Sequence, residues 1–145
     1  MPKVLISDKL SAESVKVFEK YGIEVEVNTD LSEEDLKNII SDFDGLAIRS
    51  NTKVTRELLE KADNLKIIGR AGIGVDNIDL DAATKKGIVI MNTPLGNSIT
   101  TAEHTIALMM ALARNIPNAN FSTHLGKWEK SRFTGTELYS KILGM

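Results

Sequence analysis

The sequence predicts an α/β fold: five short parallel strands in one sheet, with helices on both faces. Three observations support it. Short apolar runs recur along the chain, and each ends in polar or glycine-rich residues. Segments with helical spacing and their own start and stop signals separate them. Several runs are apolar at consecutive positions, as strands buried on both faces require.

Lys3-Val4-Leu5-Ile6-Ser7 reads as the first strand. Ser11 looks like an N-cap, Val15, Val17 and Phe18 supply an apolar stripe, and Gly22 stops that helix. Ile23 to Val27 alternates and suits a strand near an edge. Ser32-Glu33-Glu34-Asp35 is a capping box that opens a short helix through Ile39-Ile40. Gly45-Leu46-Ala47-Ile48 is a third strand, and Thr55 caps a helix carrying Leu58 and Leu59. Leu65 to Ile68 is the fourth strand. Asp79 to Lys86 is a helix with acids first and lysines last, which suits the helix dipole. Gly87 ends it, and Ile88-Val89-Ile90 is the fifth strand. The implied architecture is flavodoxin-like, or Rossmann-like in the broad sense, with right-handed crossovers.

From Thr100 the pattern changes. Thr101 to Arg114 is a helix whose apolar residues wrap most of its circumference, so it belongs in a core or at an interface. Pro117 falls past its end, and a more polar stretch follows with Phe121, Trp128 and Phe133 as expected anchors. Residues 138–145 look like the start of another strand.

Composition narrows the function classes. The chain has 145 residues, 42% hydrophobic and 26% charged, as a globular protein would. Eighteen basic and twenty acidic residues give a net charge of −2, so no basic excess points to nucleic acid or an anionic membrane. There are no cysteines, which excludes disulfides, thiol nucleophiles and thiolate metal sites. No signal-like or membrane-length apolar run is present, so a cytoplasmic location is expected.

Ligands of such sheets bind beyond the carboxyl ends of the strands. Asp8 follows the first strand, and Arg49, Ser50 and Asn51 follow the third. Gly69-Arg70-Ala71-Gly72-Ile73-Gly74 follows the fourth, and Asn92 to Ser98 follows the fifth. Three glycines in six residues allow a sharp turn and a close approach to a ligand. Successive N–H groups there can form a nest for a small anion such as a carboxylate. The loop is not a dinucleotide fingerprint: Asn77 stands where G-x-G-x-x-G needs its third glycine. No acid ends the next strand either. A phosphate-accepting receiver domain shares the architecture but needs an acceptor Asp after its third strand. Arg49 stands there, and a cation calls for an anionic ligand.

Four segments in register extend this reading: Ile48 to Thr55, Gly69 to Asp79, Asn92 to Ser98, and Gly126-Lys127-Trp128-Glu129. Over essentially the whole chain they resemble the D-isomer-specific 2-hydroxyacid dehydrogenases. The resemblance implies hydride transfer between NAD and the 2-hydroxyl of 3-phosphoglycerate, the first step of serine synthesis. It implies that backbone N–H groups of Ala71, Gly72, Ile73 and Gly74 hold the substrate carboxylate. Arg49 and Ser50 would bind the anionic substrate, and Asn97 would contact it. Ile73 and Thr101 would lie at the nicotinamide end of NAD, and Lys130 would reach the substrate phosphate of a neighbouring subunit. Residues 1–98 would be a substrate-binding domain without its C-terminal return, and 99–145 the start of an NAD-binding domain.

The family's G-x-G-x-x-G loop and its catalytic Arg, Glu and His have no counterpart in the sequence, so this chain alone is expected to be inactive. A homodimer through residues 101–114 is implied, and no metal. The competing reading is a binding or regulatory chain that holds small carboxylates without chemistry. His104 and His124 read as packed or solvated residues, and Asp76 and Asp79 as caps.

Overall fold

In the computed structural model, residues 1–144 are described. The chain separates into two compact units, Met1–Gly96 and Asn97–Met145.

The first unit holds the sheet. Its strands are β1 (Lys3–Ile6), β2 (Glu24–Val27), β3 (Gly45–Ile48), β4 (Ile67–Arg70) and β5 (Val89–Met91). All pairs are parallel, in the order β2-β1-β3-β4-β5. The chain winds outward from β1 to β2, returns across β1 to β3, then continues the other way. The topological switch point therefore lies between β1 and β3, where open α/β sheets bind their ligands.

The connecting helices are α1 (Ala12–Lys20), α2 (Glu33–Ile39), α3 (Arg56–Lys61) and α4 (Leu80–Lys86). The alternation of strand side chains sorts them onto two faces. Leu5, Leu46, Ile48 and Ile68 pack with Leu36 of α2, Leu58 and Leu59 of α3, and Ala82 and Ala83 of α4. Val4, Ile6 and Ala47 face the other way, against Val15 and Phe18 of α1. Among the described residues of the first unit, α1 packs on that side, and Val89 and Met91 stay exposed.

The local signals act as their chemistry dictates. Ser32, Thr55 and Asp79 accept hydrogen bonds from the N–H groups of Asp35, Leu58 and Ala82. Ser11 occupies its N-cap position without using its side chain. Gly87 closes α4 with φ at +71°, a value side chains rarely adopt, and Ile88 N–H reaches back to Ala83 C=O. At the amino ends of the strands, Asp44 accepts from the Lys66 ammonium at 2.7 Å and the Lys3 N–H at 2.9 Å. The Lys66 bond, then the Lys3 bond, holds the Asp44 carboxyl below its ordinary range.

Several expectations change. β4 runs on through Gly69 and Arg70, because Gly69 pairs with Ala47 and Met91 as a regular strand residue. None of Gly69, Gly72 or Gly74 has positive φ, so the loop does not turn by left-handed glycines. In the second unit, α5 (Ser98–Ala113) starts three residues before Thr101. The stretch around Pro117 is a further helix, α6 (Ile116–His124), with proline in its first turn, where its missing N–H costs nothing.

Residues 138–144 form no strand. A turn from Leu138 to Lys141 interrupts them, and nothing pairs with them in a ladder. Met145 of that expected strand lies outside the described residues. Phe121 and Trp128 are not anchors, being 66% and 84% exposed, and only Phe133 is half-buried. No helix among the described residues is long and apolar enough to cross a membrane.

Candidate functional site

The first-unit candidates converge on the carboxyl ends of β3 and β4. Ile48 pairs with Arg70, which sets Arg49 and Ala71 at the same level beyond the sheet. Ala71 N–H donates to Ile48 C=O at 2.8 Å. Arg49 is exposed, and among the described residues its guanidinium makes no ion pair. A free guanidinium is a planar fork of donors suited to a carboxylate or phosphate. Ser50 beside it is also exposed.

The turn after β3 is held by its backbone. Asp8, only 4% exposed, lies just past β1. Its Oδ2 accepts the N–H groups of Arg49 at 2.6 Å and Thr52 at 3.2 Å. From the other side, Asn77 Nδ2 donates to the C=O groups of Arg49 at 2.8 Å and Thr52 at 2.6 Å. Ser7 and Thr52 hydroxyls share a further bond at 2.9 Å. A parallel bridge between Val54 and Ile78 continues the tie toward α4.

The glycine-rich loop is built around an ion pair. Arg70 reaches Asp76 at 3.0 Å, and its Nε donates to Arg49 C=O at 3.3 Å. A Cβ on Gly74 would stand 2.8 Å from both Arg70 Nη1 and Asp76 Oδ1, so a side chain there would displace the pair. Close approach, not turn geometry, explains this glycine. Asn92 Nδ2 donates to Ile73 C=O at 2.7 Å, and Thr93 N–H to Gly72 C=O at 2.9 Å. Ala71 and Gly72 N–H groups already bond within the chain, to Ile48 and Arg70. Among the described residues, those of Ile73 and Gly74 have no backbone acceptor. The Ile73 side chain is 41% exposed.

The remaining candidates lie in the second unit. Asn97 precedes α5, and its C=O accepts Thr101 N–H at 2.9 Å. Thr101 and Lys130 are exposed. Lys130 opens a 3-10 turn, Lys130–Phe133, that follows Glu129. Glu129 accepts from the buried Ser122 hydroxyl at 2.6 Å and from Arg132 at 3.2 Å. The serine bond first, then arginine, keeps the Glu129 carboxyl below its usual range. His104 and His124 are exposed, and Asp79 caps α4 as expected.

Sequence reasoning placed Arg49, Ser50 and the loop at one end of the sheet, and the structure brings them together there. It gave no role to Asp8, and it treated Asn77 only as a missing glycine. An acid two residues past the apolar end of β1, at the ligand end of the sheet, was the available signal for Asp8. Nothing local marks Asn77, whose partners lie 25 and 28 residues away. Among the described residues, no cluster of His, Asp or Glu could hold a metal ion.

Residues 4–140 match the family model described as D-isomer specific 2-hydroxyacid dehydrogenase, catalytic domain. The chain is 53% identical over 145 residues to D-3-phosphoglycerate dehydrogenase of Methanocaldococcus jannaschii, covering all of this chain and 28% of that one. A crystal structure of a protein from Pyrococcus horikoshii OT3 superposes with a TM-score of 0.84 at 38% identity, over 94% of this chain and 42% of that one. NAD+-bound 3-phosphoglycerate dehydrogenase of Entamoeba histolytica superposes with a TM-score of 0.66 at 35% identity, over 78% of this chain and 39% of that one. The chain thus spans under a third of the first relative's length.

Proposed function

The chain belongs to the D-isomer-specific 2-hydroxyacid dehydrogenases, and from that premise we propose that it supplies the substrate-positioning part of an NAD-dependent oxidoreductase. The reaction is conversion of 3-phospho-D-glycerate to 3-phosphohydroxypyruvate, in serine synthesis. The observation that carries this reading is that, among the described residues, the Arg49 guanidinium past β3 makes no ion pair and the Ile73 and Gly74 N–H groups past the neighbouring β4 have no backbone acceptor. A fork of cationic donors and two backbone donors suit a doubly anionic small acid.

In this reading Arg49 and Ser50 bind the anion. The Ala71–Gly74 loop holds the carboxylate through its two free N–H groups, with Ala71 and Gly72 shaping the loop. Asn97 contacts substrate. Lys130 reaches the phosphate held by a second subunit. NAD supplies the hydride acceptor when bound. In this reading Ile73, with an exposed apolar side chain, and Thr101, with an exposed hydroxyl, serve its nicotinamide end. The pyrophosphate is not expected at this loop, where Asp76 adds negative charge and Asn77 replaces a glycine. Residues 1–98 form the substrate-binding domain, and 99–145 begin the cofactor domain.

The test is titration of the chain with D-3-phosphoglycerate, followed by amide chemical shifts. Binding on the order of millimolar is expected, centred on residues 49–52 and 71–74. Arg49→Ala should weaken it about tenfold, or about 1.4 kcal/mol. Shifts spread evenly over the surface, with Arg49→Ala equal to wild type, would sink the reading.

Association follows from α5. Ile99, Leu108 and Leu112 are 77%, 58% and 82% exposed along it. Apolar area of this kind marks an interface, and a second copy pairing two-fold through α5 would cover it. Light scattering should show a dimer, and Leu112→Glu should shift it to monomer. A monomer at every concentration, unaffected by the substitution, would refute the pairing.

A further inference from the structure

We propose that Asp8 and Asn77 are positioning residues that fix the Arg49–Thr52 turn and so present the Arg49 guanidinium to an anionic substrate. The inference rests on the reading of Arg49 as a substrate ligand. Its geometric basis is that both side chains grip the same two residues, from opposite ends. Asp8 accepts both N–H groups, and Asn77 donates to both C=O groups. All four backbone groups at the two ends of the turn are thereby satisfied by side chains from elsewhere.

The residue types are those the task requires. A buried carboxylate is costly unless it is hydrogen-bonded, and Asp8 is almost wholly buried at the switch point between β1 and β3. Its charge strengthens both bonds it accepts. Asn77 needs two donors on one short arm. The reversed amide would set Oδ1 against two carbonyl oxygens, so the assignment of its atoms follows from chemistry. Its Oδ1 is buried without a partner, a penalty the fold retains alongside the two donor bonds. Among the described residues, the N–H groups of Ser50 and Asn51, between the gripped residues, have no acceptor.

Two measurements on the whole chain test this. Amide hydrogen exchange of the wild type needs no variant: Arg49 and Thr52 should exchange at least about tenfold more slowly than Ser50 and Asn51, after correction for intrinsic rates. D-3-phosphoglycerate titrations then compare variants. Asp8→Ala and Asn77→Ala should each raise Kd at least about fivefold, an effect on the order of one lost hydrogen-bonding partner. Asp8→Asn keeps an acceptor and should recover most of the affinity, whereas Asn77→Asp, acceptor against acceptor, should be no better than alanine. A purely structural role would not order the variants this way once each is shown to be folded. Uniform exchange across residues 49–52 overturns the proposal. So does unchanged affinity in folded Asp8→Ala and Asn77→Ala while Arg49→Ala binds weakly. Unchanged affinity in Arg49→Ala instead overturns the substrate reading on which the inference stands.

Discussion

Gly135→Ala is expected to destabilise the second unit by about 2–4 kcal/mol. Gly135 has φ at +66°, a conformation that costs an L side chain roughly 1–2 kcal/mol. The larger problem is space. An added Cβ would lie 2.4 Å from the Ala113 carbonyl oxygen and 2.9 Å from Arg114 Cα. Both are backbone atoms at the end of α5, so no rotamer change relieves the overlap. The segment must lift away, and the Thr136 N–H bond to Ala113 C=O, at 2.7 Å, goes with it. That bond adds about 0.5–1.5 kcal/mol. Hydrogen exchange checks the outcome: amides of α6 and Thr136 should lose protection, while those of β1 and β3 keep theirs. Equal protection in the variant would show that the segment does not need this approach.

Phe43→Ala should cost the first unit about 3–5 kcal/mol, a large share of a typical domain's stability. Phe43 is 1% exposed and lies in the cluster that joins α2, α3 and α4 to the sheet. Its removal leaves a cavity bounded by short elements, α3 having only six residues. The Lys3 ammonium stands 4.6 Å from the ring centroid, so a weak cation–π attraction is lost as well. Urea unfolding followed by circular dichroism should show a lower midpoint. Phe43→Leu, which keeps most of the volume, should lose far less. A loss under about 1 kcal/mol for the alanine variant would mean that the site collapses around the gap.

These two positions mark what the sequence made legible. Phe43 sits two residues before the fully apolar β3, and apolar runs announced the strands, apart from β2, which its alternation gave away. Caps at Thr55 and Asp79 and the stop at Gly87 were readable because their partners lie within a few residues. Gly135 was silent, because its meaning depends on a carbonyl 22 residues earlier. The helix after Pro117 was obscured for a different reason: its residues make no clear apolar face, and the proline looked like a terminator instead of a first-turn residue. The expected strand over 138–145 had the right composition, but over its described residues, 138–144, no described strand pairs with it. At the site, Arg49 and the glycine loop were visible because they follow strands in a sheet whose ligand end is known in advance. The grip of Asn77 was not, because it acts across a gap in sequence that no local pattern spans.

The turn after β3 owes its path to groups outside itself. Among the described residues, the side chains of Arg49, Ser50 and Asn51 make no hydrogen bond, while the backbone of Arg49 is held by Asp8 and Asn77. The shape of this short stretch is thus uncoupled from the identity of what it displays. Replacing the side chains at 50 and 51 should change what the turn displays without redrawing the backbone that displays it. The turn is an interchangeable cassette on a fixed mount: its display can be exchanged by single substitutions while Asp8 and Asn77 keep hold of the backbone.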